Sequence, residues 1–188
     1  MSGNKSKNWL KEYFEEYRTP FFDEEIYGQI VQLANLFSKI REEKKRVFVC
    51  GNGGSVSIAN HCVLDLVNKA KVRALSFNDS SIITCYTNDY GYEEWLTRSL
   101  DLQADPGDAV ILISSSGQSK NMIAAARVAI EKKLNIVTVS GFKADNPLRG
   151  FGQINLWIDS SNYNIVENTH QVWLLAAVDL LVSGGDIK

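Results

Sequence analysis

The sequence predicts an α/β fold: a parallel β-sheet covered by helices on both faces. Two observations carry that expectation. Short runs rich in Val and Ile, at 47–50, 109–113 and 136–139, are apolar almost without interruption, as strands buried on both faces must be. Between these runs, apolar residues recur at steps of three and four, which is the helical period. Strands that alternate with helices pair in parallel through crossover connections.

Taken in order, the first forty-odd residues are helical. A helix over about 7–17 is expected to end before Thr19-Pro20, because proline disfavours helical conformation in the residue before it. Ile26, Ile30, Leu33, Phe37 and Ile40 then form one apolar stripe. The strand at 47–50 is followed by a helix over 55–68, a weaker strand at 72–77, and helices near 80–87 and 91–102. The strand at 109–113 leads into a helix over 119–133; the strand at 136–139, a weaker one at 154–158 and a final helix over 165–183 complete the chain. VWLLAAVDLLV in that last helix is apolar nearly all round, which predicts burial, partly between protomers, and leaves Asp179 unexplained. Trp9, Phe14, Phe21 and Phe22 are expected to pack helix against helix or subunit against subunit. There is no linker, repeat or low-complexity segment, so 1–188 reads as one domain, with helices over 1–45 ahead of an α/β core over 46–188.

Composition excludes several function classes. At 188 residues, 45% hydrophobic and 22% charged, the chain has the balance of a globular protein with its own core. A formal net charge of −2 gives no positive field to recruit nucleic acid or an anionic membrane. Lys44-Lys45-Arg46 lies beside Glu42 and Glu43 and reads as a solvated helix end. Cys50, Cys62 and Cys85 form neither a CxxC pair nor an even set, which predicts buried, reduced thiols. MSGNKSKNW lacks the apolar segment of a signal peptide, and the run Val172–Val178 is too short to span a bilayer. Cytoplasm is the expected compartment.

In sheets of this kind ligands sit outside the carboxyl ends of the strands. That rule selects two loops. After Cys50 comes Gly51-Asn52-Gly53-Gly54-Ser55; after Ile113 comes Ser114-Ser115-Ser116-Gly117-Gln118-Ser119, then Lys120. Glycines admit a ligand close to the backbone, and serine hydroxyls and helix-start amides suit phosphate oxygens. Each loop alone has a plainer explanation, a turn or an N-cap. The pair, each after a strand and each opening a helix, favours a phosphate site. Nucleotide fingerprints fail on spacing. A Walker loop needs Gly-Lys-Ser/Thr, whereas this loop continues Gly54-Ser55-Val56, and Val56 stands where G-x-G-x-x-G needs its last glycine. No nucleotide cofactor is expected.

These two loops, His61 and Asp65 behind the first, and Asn88-Asp89-Tyr90-Gly91-Tyr92 resemble the SIS (sugar isomerase) domain, most closely its phosphoheptose isomerase branch. That branch converts sedoheptulose 7-phosphate to an aldoheptose phosphate. The resemblance implies a flavodoxin-like three-layer sandwich around a five-stranded parallel sheet, assembled as a homotetramer with the N-terminal helices in the interface. It implies that Asn52, Gly53, Ser55, Ser114, Ser116 and Ser119 hold the phosphate of a sugar phosphate, a seven-carbon one in this branch. Asn88 and Asp89 would meet the sugar hydroxyls; a turn-forming Asn-Asp is the plain alternative.

Aldose–ketose isomerisation needs a base to move a proton between adjacent carbons and an acid or metal to stabilise the enediolate. His61 and Asp65, one helical turn apart, suit two metal ligands or a ligand and a base; a hydrogen-bonded surface pair is the alternative. Glu167 and His170 are close enough in angle to share a ligand, or are a dipole-favoured acid and an interface residue. The sequence departs from the family pattern here: Asp65 replaces a glutamate, Glu167 a glutamine, Lys69 an arginine and Leu175 a histidine. Two interpretations follow. In one, His61, Asp65, Glu167 and His170 hold zinc, one per subunit, while Asp65 and Glu167 do the chemistry. In the other, the chain is a non-catalytic SIS protein that binds a phosphosugar or a protein partner, as the replication-initiator-binding members do. The first is the expected function, a phosphosugar isomerase.

Overall fold

The computed structural model describes residues 3–185; residues 1–2 and 186–188, the outer ends of the predicted domain, lie outside the described residues. Three helices lead: α1 (Gly3–Glu15), α2 (Arg18–Phe21) and α3 (Glu24–Glu42). Then follow β1 (Arg46–Gly51), α4 (Gly54–Asn68), β2 (Arg73–Leu75), α5 (Ser80–Tyr90), α6 (Trp95–Gln103), β3 (Ala109–Ser114), α7 (Lys120–Glu131), β4 (Asn135–Ser140), β5 (Ile154–Trp157) and α8 (Tyr163–Ser183). The five strands form one parallel sheet in the order β2-β1-β3-β4-β5, the flavodoxin-like order.

The Val/Ile runs become strands because each side of the sheet meets helices. Val47, Val49, Ile111, Ile113, Val137 and Val139 face α3, α4 and α8, packing with Phe37, Cys62 and Leu174. Phe48, Cys50, Val110, Leu112 and Ile136 face the opposite way, onto Leu100 of α6 and Met122 and Ala126 of α7. At roughly 1.5–3 kcal/mol for each large apolar side chain taken from water, the fully buried Leu33, Phe37 and Ile40 suffice to dock α3. Asp23 caps that helix by accepting from the Glu25 amide at 2.9 Å.

Register places the two selected loops side by side. Cys50 lies opposite Leu112 and Gly51 opposite Ile113, so the loops after β1 and β3 leave neighbouring strands at the same level. Since β2 lies beyond β1 on one side and β4 beyond β3 on the other, this is the switch point of the sheet, where a crevice opens. At the opposite end, buried Asp108 accepts from the backbone amides of Arg46 and Asp105, each at 2.9 Å, and pins the strand starts.

Several expectations change. The first helix ends before Thr19-Pro20 as expected, at Glu15, but an unexpected short α2 takes in Pro20 as its third residue, where the missing N–H belongs to the unbonded first turn. Asn88 and Asp89 are not in a turn: Asp79 caps α5, accepting from the Ser81 and Ile82 amides, and the helix runs on to Tyr90, stopping at Gly91 with φ +93°. Cys50 and Cys62 are buried, with burial raising both thiols, Cys62 to about 12, but Cys85 is exposed on α5. Arg46 is no solvated helix end; it starts β1 and pairs with Asp105 and Asp108. In α8, Trp173, Leu174, Ala177 and Val178 are buried while Val172 and Val182 are exposed, and Asp179 lies 3.9 Å from Lys69. No helix among the described residues is long and apolar enough to cross a membrane.

Candidate active site

The two loops enclose a cavity of about 270 Å³ lined by Asn52, Gly53, Gly54, Ser55, Ser114, Ser115, Ser116, Ser119, Tyr163 and Glu167. Gly53, at φ +54°, turns the chain from β1 into α4 and occupies the N-cap position without a side chain to cap it. Ser119 occupies the N-cap of α7, yet its side chain makes no capping bond. Its Oγ lies instead 2.9 Å from Ser114 Oγ. The plainer role of these loops, side-chain capping by the N-cap residue, is therefore unused at both helix starts; within the serine loop, Ser116 Oγ accepts from the Gln118 amide at 3.2 Å. Gly117, at φ +64°, makes the SSSGQS turn possible and leaves room for the buried Asn146 side chain, which any Cβ at 117 would strike.

Glu167 enters the same cavity from α8. Its carboxylate rests directly over Gly54, where a Cβ would collide with it, so glycine at 54 is what admits an acid to this position. Ser115 Oγ donates to Glu167 Oε1 across a long 3.5 Å. The first turn of α4 thus faces one carboxylate, an arrangement the helix dipole favours. Tyr163, the first residue of α8, also lines the cavity and packs edge-on against Phe142 at 4.9 Å between ring centres.

The remaining predicted site residues are not brought to this cavity. Asn88 and Asp89 are exposed on the last turn of α5, with Asn88 Nδ2 donating to Asp89 Oδ1 at 2.9 Å. Asp65 is buried, and its Oδ2 accepts from Lys69 Nζ at 2.8 Å. That hydrogen bond raises the Lys69 pKa, keeping the ammonium charged. His61 Nε2 stands 3.8 Å from the same Asp65 oxygen, while His61 Nδ1 accepts from Gln171 Nε2 at 3.1 Å. His170 is fully buried beside Trp173, and neither ring nitrogen has a hydrogen-bond partner of normal geometry. Burial pushes its pKa down to about 4, against a weaker opposing pull from the Ser140 backbone.

These positions test the zinc set implied by the resemblance. Among the described residues no three His, Cys, Asp or Glu side chains converge as metal ligands do. Lys69 supplies the positive charge that Asp65 needs, His170 belongs to the core, and Glu167 is committed to the start of α4. The four residues do not fit a metal site in this chain.

A larger hollow, of about 600 Å³, lies between α2, α3 and the β5 edge and includes Asp23, Gln29, Trp157 and Asp159. It touches neither loop. The smaller cavity holds the convergent hydroxyls and the carboxylate, and chemistry outranks size here.

Sequence reasoning did not select Gly54, Ser115, Tyr92, Asn121 or Tyr163. Tyr92 OH donates to Asn52 Oδ1 at 3.1 Å, and Asn121 exchanges two hydrogen bonds with Asn52. Gly54 and Ser115 lie inside the loops already chosen, and Tyr92 inside the Asn88–Tyr92 stretch that shares in the family resemblance; Asn121 and Tyr163 carried no such signal.

The SIS domain model matches residues 12–141. A phosphoheptose isomerase of Colwellia psychrerythraea is 27% identical over 178 residues, covering 90% of this chain and 91% of the relative. One from Akkermansia muciniphila is 28% identical over 149 residues, covering 76% and 78%. Among solved structures, a phosphoheptose isomerase from Francisella tularensis superposes with a TM-score of 0.86 at 22% identity, covering 96% of this chain and 98% of its own. One from Neisseria gonorrhoeae gives 0.84 at 23% identity, covering 94% and 98%. These two share the fold, and the family match spans well over half of the sequence. The chain belongs to the SIS domain family.

Proposed function

We propose that this chain is a phosphosugar aldose–ketose isomerase of the sedoheptulose 7-phosphate type. The observation that carries this reading is one cavity in which a serine loop built for an anion and a carboxylate built for a proton face each other. The curated relatives named phosphoheptose isomerase support the seven-carbon substrate.

Each residue then has a task. The hydroxyls of Ser55, Ser114, Ser116 and Ser119, the Asn52 amide and the Gly53 backbone hold the phosphate without a net charge of their own. Glu167 takes the proton from carbon 1 of the ketose and returns it to carbon 2 of the enediol, while the hydroxyl proton passes between the two oxygens. No atom is gained or lost. Tyr163 lines the cavity beside Glu167, and Asn88 and Asp89, exposed on α5 and outside this cavity, are assigned no contact with the sugar. Asp65, held by Lys69, is assigned no proton, which withdraws the catalytic role expected of it from the sequence. No step is drawn through zinc, because the donor set does not fit one.

The assembly is proposed to be a homotetramer. Its support is α1, which buries none of its described residues and leaves Trp9, Leu10 and Phe14 exposed beside exposed Phe22. Light scattering is expected to read four chain masses; a single chain mass overturns the tetramer.

The enzymatic test is incubation with sedoheptulose 7-phosphate, following the aldose product by NMR. Conversion is expected. Ser116→Ala and Ser119→Ala should each raise KM by about tenfold or more, the worth of one hydrogen bond to a charged group. Measurable binding with no conversion of this or any other ketose phosphate would overturn the isomerase and leave a phosphosugar-binding protein.

A further inference from the structure

Asn121 is the second residue of α7 and is only 2% exposed. A buried primary amide must place its donors and acceptor lone pairs. Asn121 places one of each on a single partner. Its Nδ2 donates to Asn52 Oδ1 at 2.9 Å, and its Oδ1 accepts from Asn52 Nδ2 at 2.9 Å. Two such bonds in parallel fix both amide planes. Tyr92, just beyond Gly91, donates its hydroxyl to the same Asn52 Oδ1 at 3.1 Å. That oxygen now accepts from two donors and has no lone pair left. What Asn52 has to offer the cavity it lines is its second Nδ2 proton, a donor suited to an anion.

We propose that Asn121 and Tyr92 are positioning residues for the phosphosugar. They hold Asn52 with a donor free, and they join the loops after β1 and β3 into one cradle of fixed width. The ligand in this proposal rests on the isomerase reading above. Asn52 and Asn121 stand 69 residues apart, in the segments that follow β1 and β3, so their amide pair ties those segments together beside the cavity that Asn52 lines. Packing does not require the pair. The next residue, Met122, and Ala125 and Ala126 already bury the inner face of α7. Lys120 and Glu93, 2.9 Å apart, tie the same segments, but both are solvent-exposed and such a pair is weak. An unheld asparagine amide rotates between two orientations of nearly equal shape, and one of them turns an oxygen towards the phosphate. The reciprocal bonds and the Tyr92 hydroxyl select the other.

Asn121→Asp tests this. A carboxylate keeps the acceptor and loses the donor, so the pair opens; a protonated carboxyl has one of each and closes it again. The expected result is a KM for sedoheptulose 7-phosphate raised about tenfold near neutral pH, with kcat within about threefold. That KM defect should shrink relative to the native protein as the pH falls towards about 5, because burial raises the pKa of the introduced carboxyl. Tyr92→Phe should raise KM by about threefold without this pH dependence. A native KM in Asn121→Asp overturns the proposal, and so does a loss that follows the unfolded fraction and shows no pH recovery. If Asn121→Asp does not fold, the side-chain amide NMR signals of the native protein decide. Slow hydrogen exchange at Asn52 and Asn121, with the Asn52 signal moved by inorganic phosphate, supports the pair; free exchange at both overturns it. Should the native protein bind inorganic phosphate and convert no ketose phosphate, the isomerase reading falls. The phosphate dissociation constants of the same variants, read in place of KM, then judge the positioning role separately.

Discussion

Replacing Glu167 by glutamine is expected to lower kcat by about a hundredfold to ten-thousandfold, the usual worth of a positioned proton-transfer group, while phosphosugar binding is kept or tightened. Glutamine has nearly the same shape, so it still fits over Gly54 and beside Ser115. What it loses is basicity and charge. Losing basicity stops proton abstraction at carbon 1. Losing charge removes a repulsion between the carboxylate and the incoming phosphate, two anions in one cavity of about 270 Å³. The direction is informative because glutamine is the residue the family resemblance leads one to expect at this position. If it served equally well here, the proton would have to move elsewhere, and Asp65 would be the next carboxylate to examine. Steady-state kinetics by NMR, with binding by calorimetry, separates the two effects. A kcat within about threefold of native removes Glu167 from the chemistry.

Acid is expected to destabilise the fold through His170. In the folded chain its pKa is pushed down to about 4 by burial, whereas an unfolded histidine titrates near its ordinary value of 6.5. Between these values the unfolded state binds a proton that the folded state does not. The contribution from keeping His170 neutral is therefore fully present above about pH 6.5 and is lost as the pH falls through that window to about 4. The gap amounts to about 3 kcal/mol, a large share of an ordinary folding free energy. Urea unfolding at several pH values in this window measures it. Carboxylates lose their own partners at the acid end, so the useful quantity is the difference between native protein and His170→Leu. The variant should lack most of the slope between about pH 6.5 and 4.5; parallel curves would show that His170 does not titrate as its burial requires.

The fold was legible because its signals are local. Val47–Cys50 and Ala109–Ile113 are apolar on both faces, and only a sheet covered twice explains that. The loops were legible because glycine and serine at strand ends have few other uses. Other features depend on parts of the chain brought together from far apart. No period or spacing says that Asn121 will meet Asn52, or that Glu167 will lie over Gly54; both follow from the crossovers that stack α7 and α8 against the β1 turn. His170 looked like a ligand because histidine at helical spacing from an acid invites that reading, and burial then placed it in the core. Lys69 stands where the family pattern has an arginine, and its effect here is to occupy Asp65. Local exceptions also escaped: Pro20 is tolerated because it falls in a first turn, and Asn88-Asp89 is helical because α5, starting at Ser80 as expected, runs on to Tyr90 before Gly91 stops it.

The crevice has walls of unequal stiffness. On one side lies β3, the middle strand of five, every residue buried, with the serine loop as its direct continuation. On the other, reached through the Tyr92 hydroxyl on Asn52, lies the segment that follows α5, a helix none of whose residues is fully buried. Local opening costs least where the fewest apolar contacts are broken. The proposed phosphate loop therefore belongs to a part of the molecule that opens late, and the Tyr92 side to one that opens more readily. Admission and release then need not disturb the anchor, because α5 can loosen while β3 stays paired on both edges.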